Sequence, residues 1–272
     1  MTSTRTESQQ HAVTTDSTDT LVIAGAGAGK TRVLTDRVCE LLQHRGLSPS
    51  ELLVLTFTRK VAGELKSRVT AALNEGVDDE DAGDPTAGML IGTFHSVGLK
   101  ILREYGDRLG YTKSSMTIID PDDSEYLMLQ VCKDFGLLKG KTWRSGLSKK
   151  KVRAFIDAHY TGSICAGTSE TTGIFAEYQS RLYNMNALDF GLILQQVNHL
   201  FDKHPDVLEA YRKRIKCVLV DEFQDSSSID IQFVEWFRHS AEFFAVGDLR
   251  QSIYGFRGAR PDLVRAMVTS NG

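Results

Sequence analysis

The sequence predicts an α/β fold: a parallel β-sheet flanked by helices and built on a phosphate-binding loop, with a mainly helical segment inserted into it. Three observations predict this. The apolar run Leu21, Val22, Ile23, Ala24 passes directly into Gly25-Ala26-Gly27-Ala28-Gly29-Lys30-Thr31 and then into a helical pattern, which is the strand–loop–helix order of a P-loop. From residue 52 to about residue 109, short apolar runs alternate with amphipathic stretches of helix length, as parallel strands require for their crossovers. After a long helical stretch, apolar runs return at residues 217–221 and 243–247.

Taken in order, residues 1–8 are polar, and Gln9-Gln-His-Ala-Val13 reads as a short helix. A strand at 21–24, the glycine-rich loop and a helix to about Gln43 follow, the helix carrying Val33, Val38, Leu41 and Leu42 at helical spacing. Leu52-Leu-Val-Leu-Thr-Phe57 is continuously apolar apart from one threonine, so it reads as a strand buried on both faces. Val61, Leu65, Val69 and Leu73 recur every fourth residue and mark the next helix. Residues 75–88 are acidic and glycine-rich, a solvated loop or disordered insert. Met89-Leu-Ile-Gly-Thr93 is a further strand, and a helix runs from Phe94 to about Leu109. Helical patterns then dominate at 121–135, 148–158, 170–183 and 187–202. Strands return at 217–221 and 243–247, separated by a helix at 229–238, and a last helix spans 260–268.

Composition bounds the function classes. The chain has 272 residues, of which 41% are hydrophobic and 25% charged, ordinary for a globular domain or two small ones. A net charge of −3 means that any nucleic-acid surface is a local patch and not a global field. Cys39, Cys132, Cys165 and Cys217 are scattered without C-x-x-C spacing, which suggests neither a zinc site nor a disulfide framework and fits a reducing, cytoplasmic setting. No apolar run approaches the ~18 residues of a membrane span, and Met1-Thr-Ser-Thr-Arg-Thr-Glu-Ser lacks a signal-peptide core.

The chemistry concentrates at two places. In the loop, small residues let successive backbone N–H groups point at phosphate oxygens, and the following helix N-terminus adds partial positive charge. Lys30 then reaches the β/γ-phosphates and the Thr31 hydroxyl holds Mg²⁺. The usual first glycine of this pattern is replaced by Ala24. The second place is Val218-Leu-Val-Asp221-Glu222, an apolar strand that delivers two carboxylates at its C-terminal edge, where ligands sit in open parallel sheets. One carboxylate can hold Mg²⁺ and the other polarise an attacking water. Alone, such a pair is more often a solvated strand end; the P-loop upstream favours the catalytic reading. Asp248 ends another strand at the same edge, and Gln251 beyond it is placed to hydrogen-bond a γ-phosphate.

Ala24-Gly-Ala-Gly-Ala-Gly-Lys-Thr-Arg32, Thr56-Phe-Thr58, Gly92-Thr-Phe-His-Ser96, Val220-Asp-Glu-Phe-Gln-Asp225 and Val246-Gly-Asp-Leu-Arg-Gln-Ser-Ile-Tyr-Gly-Phe-Arg-Gly-Ala259 together resemble the UvrD/Rep/PcrA-type superfamily 1 DNA helicases, in order and spacing, from about Glu7 onward. The resemblance implies a RecA-like ATP-binding domain (1A) at 1–106 plus 207–272, with an inserted helical subdomain (1B) at 107–206. It implies ATP and Mg²⁺ as cofactors. The ATP-binding residues are Gln9, reading adenine, with Ala24, Gly25, Ala26, Gly27, Ala28, Gly29, Lys30, Thr31 and Arg32, the last lying against the adenine. Thr31 and Asp221 are the implied metal ligands; Lys30, Glu222 as general base and Gln251 as γ-phosphate sensor are the implied catalytic set. Phe57, His95, Tyr254, Phe256 and Arg257 fall in segments that touch single-stranded DNA in the family, and aromatic faces stack on any base without reading sequence. The competing readings are that Phe57 and Phe256 are core residues and His95 a structural histidine.

The chain departs from the family pattern at Arg59, where asparagine is common, at Leu249-Arg250, and at Phe256, where tryptophan is frequent. Lys139, Lys141, Arg144, Lys149, Lys150, Lys151 and Arg153 form a basic run with no acidic residue between Asp134 and Asp157. It reads either as a duplex-facing surface of the helical subdomain or as a solvated helix face. The family's second RecA-like domain has no counterpart within these residues. The expectation is therefore an ATP-dependent helicase or translocase represented by its N-terminal half, acting on single strands and single-strand/duplex junctions, with the second domain supplied in cis or by another chain. The alternatives are a non-motor ATP- and single-strand-binding regulatory module, and the N-terminal part of an AddA-like helicase–nuclease. In the first case the 272 residues alone hydrolyse ATP weakly at best.

Overall fold

The computed structural model describes residues 5–25, 27–75, 83–140, 142–144, 148–160, 169–248, 259, 260 and 262. The strands of the main sheet are β1 (Asp19–Ile23), β2 (Leu52–Thr56), β3 (Leu90–Thr93), β4 (Cys217–Val220) and β5 (Glu242–Gly247). They lie in the order β1-β5-β4-β2-β3 and every pairing is parallel. The helices are α1 (Glu7–Thr14), α2 (Lys30–Gln43), α3 (Arg59–Leu73), α4 (Phe94–Tyr105), α5 (Pro121–Asp134), α6 (Lys149–Tyr160), α7 (Ser169–Asn184), α8 (Phe190–Lys203), α9 (Pro205–Arg214) and α10 (Ser228–Arg238). The α/β class and the parallel sheet flanked by helices are as the sequence predicts.

The two-residue period of a strand divides its side chains between the faces of the sheet. Leu52 and Val54 of β2, Cys217 and Leu219 of β4, and Phe244 and Val246 of β5 join one apolar cluster with Val33, Leu34 and Val38 of α2 and Leu65 and Val69 of α3. The alternate residues Leu53, Leu55, Val218, Val220, Phe243 and Ala245 join a second cluster with Phe94 and Ile101 of α4, Val197 of α8, and Phe233 and Phe237 of α10. Burial on both faces explains why β2 and β4 are continuous apolar runs and do not alternate. The second cluster continues through Leu192 into Tyr178, Leu182 and Phe155 of the helical segment, so α8 shares its core with α4 and α10.

Several boundaries differ from the expected ones. β1 starts at Asp19 and ends at Ile23, because Asp19 and Thr20 pair in register with Phe243 and Phe244 of β5; tertiary pairing, not apolarity, recruits them. The helix expected from 187 starts at Phe190, since Ala187–Leu188 pair with Thr117–Ile118 and Asp189 caps α8 by accepting from the Leu192 N–H at 2.8 Å. α4 ends at Tyr105 and a 3₁₀ turn covers Gly106–Leu109. α9 was not foreseen: it opens on Pro205, which is preset for a first helical turn, and buries only Val207, Leu208 and Tyr211. The helix expected at 260–268 falls almost wholly outside the described residues.

Parallel strands put every strand C-terminus on one edge, and the strand order sorts what is there. β1, β5 and β4 deliver the glycine-rich loop, Asp248 and Asp221–Glu222 side by side. β2 and β3 deliver Phe57 and the Phe94–His95 pair on the far side of β4. The central strand β4 therefore borders two sites at once. Helix α1, which carries Gln9, is fastened to this frame by two arginines of the α2 region. Arg37, fully buried, donates to the Val13 carbonyl at 2.6 Å and pairs with Glu242 at the start of β5. Arg45 donates to the carbonyls of Thr14 and Thr15, each at 2.8 Å.

A candidate nucleotide site and an adjoining aromatic cleft

The glycine-rich loop begins where β1 ends. The Ala24 N–H donates to the Gly247 carbonyl at 3.0 Å, holding the loop to β5, and the Ala28 N–H donates to the Gly25 carbonyl at 3.2 Å. Gly29 turns the chain into α2 with φ 83°, a left-handed conformation that a β-carbon disfavours. Among the described residues no side chain caps α2, so its first N–H groups remain available to an anion. Gln9 sits against this turn: its Nε2 donates to the Ala28 carbonyl at 3.0 Å, while its Oε1 accepts from the Thr6 N–H at 3.0 Å in a capping box. Arg32 lies one turn in, near Asp36, whose carboxylate also takes Arg5 at 2.7 Å.

The acidic pair of β4 meets the loop from across the sheet. Lys30, only 8% exposed, places Nζ 3.1 Å from Glu222 Oε2. The Thr31 hydroxyl donates to Asp221 Oδ2 at 3.5 Å, a contact between residues 190 positions apart. Asp221 is buried, and its carboxyl is pushed up to about 6, first by burial and then by the charge of Glu222. A hydroxyl and a buried carboxylate converging beside a phosphate loop are hard oxygen donors of the kind Mg²⁺ takes, with the remaining positions left to phosphate and water. The residues present thus fit Mg²⁺ and a nucleoside triphosphate. Glu222 adopts φ 48°, ψ 42°, a left-handed conformation that is uncommon for a side chain of this kind and clusters at functional sites.

Beyond β4 the chain forms a second cleft of about 200 Å³, bounded by Phe57, Phe94, His95, Tyr160, Asp225 and Asp230 among others. Phe57 is half-buried, with its ring 5.6 Å from that of Phe94; it is neither a sealed core residue nor a free one. His95 stands 6.4 Å from the Phe190 ring, edge to face. Burial lowers the His95 pKa while the charge of Asp230 opposes that shift, and burial raises Asp230 despite the bonds it accepts from Ser227. A wider hollow of about 580 Å³ shares Phe57 and His95 with the cleft, is lined also by Phe190, and is rimmed by Arg59, Lys100 and Arg103. These cations are exposed, and none forms an ion pair among the described residues.

Sequence reasoning missed Phe190, Tyr160, Asp225, Lys100 and Arg103 as lining residues. Lys100 and Arg103 sit three apart on α4, a same-face spacing that was legible. Tyr160 reaches the cleft, and Phe190 the neighbouring hollow, only through the fold. Asp189, between them in space, accepts from the hydroxyls of Tyr160 at 2.9 Å and Tyr178 at 2.6 Å, fixing α6 and α7 to the start of α8. Burial and the charge of Asp189 push both phenols well above their ordinary range. Ala26, Gln251, Tyr254, Phe256 and Arg257 lie outside the described residues. The basic run divides: Lys149 pairs with Glu125 and Arg153 with Asp157, on an exposed face of α6, and Lys141 is not among the described residues.

The family model described as the UvrD/REP helicase N-terminal domain matches residues 5–270. Over 275 residues the chain is 34% identical to the ATP-dependent DNA helicase UvrD1 of Mycobacterium leprae, covering 92% of this chain and 34% of that protein. It is 34% identical over 258 residues to the ATP-dependent DNA helicase PcrA of Staphylococcus aureus (strain Mu50 / ATCC 700699), with the same coverage of each. It is 35% identical over 273 residues to the PcrA of Bacillus subtilis, covering 92% of this chain and 33% of the relative. The chain therefore spans about a third of the length of these relatives.

Proposed function

Since the chain belongs to the UvrD/REP helicase N-terminal domain family, we propose that it binds Mg-ATP at the glycine-rich loop and single-stranded DNA in the adjoining cleft, as the ATP-binding half of an ATP-dependent DNA helicase or translocase. The observation that carries this reading is the meeting of Lys30 with Glu222 and of Thr31 with Asp221, across the sheet, at the mouth of an uncapped helix. Residues 1–106 and 207–272 are then the RecA-like domain and 107–206 the inserted subdomain. A second RecA-like domain, in cis or on another chain, is the expected partner that closes the nucleotide site. Among the described residues no helix is long and apolar enough to cross a membrane.

In this reading the loop N–H groups, the α2 N-terminus and Lys30 hold the phosphates. Gln9 and Arg32 hold the base, and Thr31 and Asp221 hold Mg²⁺. When bound, Mg²⁺ neutralises charge on the β- and γ-phosphate oxygens. Glu222 takes the proton of the attacking water, a role that its half-buried carboxylate at the site's rim allows. Gln251 reports the γ-phosphate to the DNA side. Phe57, His95, Tyr254, Phe256 and Arg257 contact DNA, and Arg59, Lys100 and Arg103 supply phosphate contacts beside the aromatic cleft.

The DNA assignment is testable by titrating an oligothymidylate at several salt concentrations. Each single-strand phosphate contact contributes about −0.7 to the slope of log K against log salt. Changing Arg59, Lys100 and Arg103 to glutamine together is expected to flatten that slope by about 2 and to weaken all sequences equally. Phe57→Ala and Phe256→Ala are each expected to weaken binding by ~1–3 kcal/mol with little change in slope. An unchanged slope in the triple variant would remove the rim cations from the DNA site. An unchanged affinity in a folded Phe57→Ala or Phe256→Ala protein would return that ring to the core.

A further inference from the structure

Gln224 stands between the two sites and touches both. Its side chain is buried, with Nε2 donating to Glu222 Oε2 at 3.0 Å and to Asp225 Oδ2 at 3.3 Å, and Oε1 accepting from the Asp248 N–H at 2.8 Å. Glu222 faces Lys30 in the nucleotide site, whereas Asp225 lines the aromatic cleft. Asp248 begins the segment that follows β5 and leads to Gln251. The seat is built for this amide: a β-carbon on Gly247 would stand 2.5 Å from Gln224 Oε1, closer than packed atoms tolerate. The remaining oxygen of Asp225, Oδ1, is buried and has no hydrogen-bond partner among the described residues.

We propose that Gln224 is the positioning residue that couples the two sites, by sharing one amide group between the carboxylate of the nucleotide site and the carboxylate of the cleft. The proposal rests on the assignment of ATP and single-stranded DNA to those sites. The physical course is short. An amide nitrogen has two protons, and here they serve two buried or half-buried carboxylates, in surroundings where such bonds polarise one another. A nucleotide phosphate that draws Lys30 away leaves Glu222 leaning on Gln224, at the expense of its bond to Asp225. A strand in the cleft that displaces the Asp225 carboxylate weakens its claim on the same amide and returns the amide to Glu222. Each ligand thereby alters the setting of the other, and coupling of this kind must be reciprocal. The Asp248 contact passes the same shift to the start of the segment after β5.

The test measures binding of a non-hydrolysable ATP analogue with Mg²⁺ to the 272-residue chain, with and without a saturating oligothymidylate, and the reverse titration. In the unaltered protein each ligand is expected to change the affinity of the other by at least about fivefold, the lower end of ordinary coupling. In Gln224→Met, which keeps the length of the side chain and removes its polar atoms, both factors should fall to one while each ligand alone still binds. Gly247→Ala displaces the amide without altering either carboxylate and should do the same; it serves if the methionine variant does not fold. A folded variant that retains the original factor overturns the proposal, as does an unaltered protein in which both ligands bind with no mutual effect. Failure of the unaltered protein to bind one of the ligands at all would instead overturn the site assignment beneath it.

Discussion

Replacing Glu222 by glutamine is expected to leave Mg-ATP bound and to slow its hydrolysis about 10²–10⁴-fold, the usual contribution of a positioned general base. That corresponds to ~3–5 kcal/mol of barrier. The substitution keeps the shape and the hydrogen-bonding reach of the side chain, so the contact with Gln224 can survive. What it removes is the proton acceptor and the negative end of the Lys30 pair. Loss of that pair frees Lys30 for phosphate, so nucleotide affinity is expected to hold or rise while turnover falls. Single-turnover phosphate release, with protein in excess over ATP, reads even slow chemistry. Supplying a second RecA-like domain is expected to raise the rate of the unaltered chain by ~10³–10⁵, the worth of an arginine delivered to the transferring phosphoryl group, and Glu222→Gln to abolish that gain. Equal rates in the two proteins would take the role of base away from Glu222.

Lys30→Ala is expected to reduce Mg-ATP affinity by ~2–5 kcal/mol, the cost of truncating one member of a buried charged contact. The Lys30 ammonium is almost enclosed, so water cannot replace it. Its removal leaves Asp221 and Glu222 facing the phosphates with one cation fewer. Isothermal calorimetry reads the difference directly. Oligothymidylate should still bind in the absence of nucleotide, its affinity shifted by no more than the coupling through Gln224, and that separates a lost contact from a lost fold. Equal ATP affinity in both proteins would sink the assignment of the loop.

The parts of the fold legible from sequence are those governed by local periodicity. The β2 run, the fourfold spacing of α3 and the passage from β1 into the glycine-rich loop all carry their own signal, and each appears in the structure. Short or capped elements do not. α9 buries three residues behind a proline, and the start of α8 is set by Asp189, whose role as a cap depends on Tyr160 and Tyr178 reaching it from other helices. For the same reason the motif residues Lys30, Thr31, Asp221 and Glu222 could be named from the chain, while Tyr160 and Phe190 could not: nothing adjacent to them in sequence marks them as neighbours of Phe57 and His95.

By itself the sequence determined the family and the motifs that carry its expected chemistry: a glycine-rich loop, a pair of carboxylates on a strand end, and aromatic segments spaced as in one helicase family. Backbone conformation and side-chain type are local properties, and they travel with the motif. Only the tertiary structure decided adjacency. The parallel order β1-β5-β4-β2-β3 puts the loop and the carboxylates on one flank of β4 and the aromatic cleft on the other. It also places Gln224, which follows that strand, within hydrogen-bond reach of both flanks. Strand order is set by which apolar faces bury together over long sequence separations, a balance summed over both cores of the sheet and carried by no single stretch of the chain.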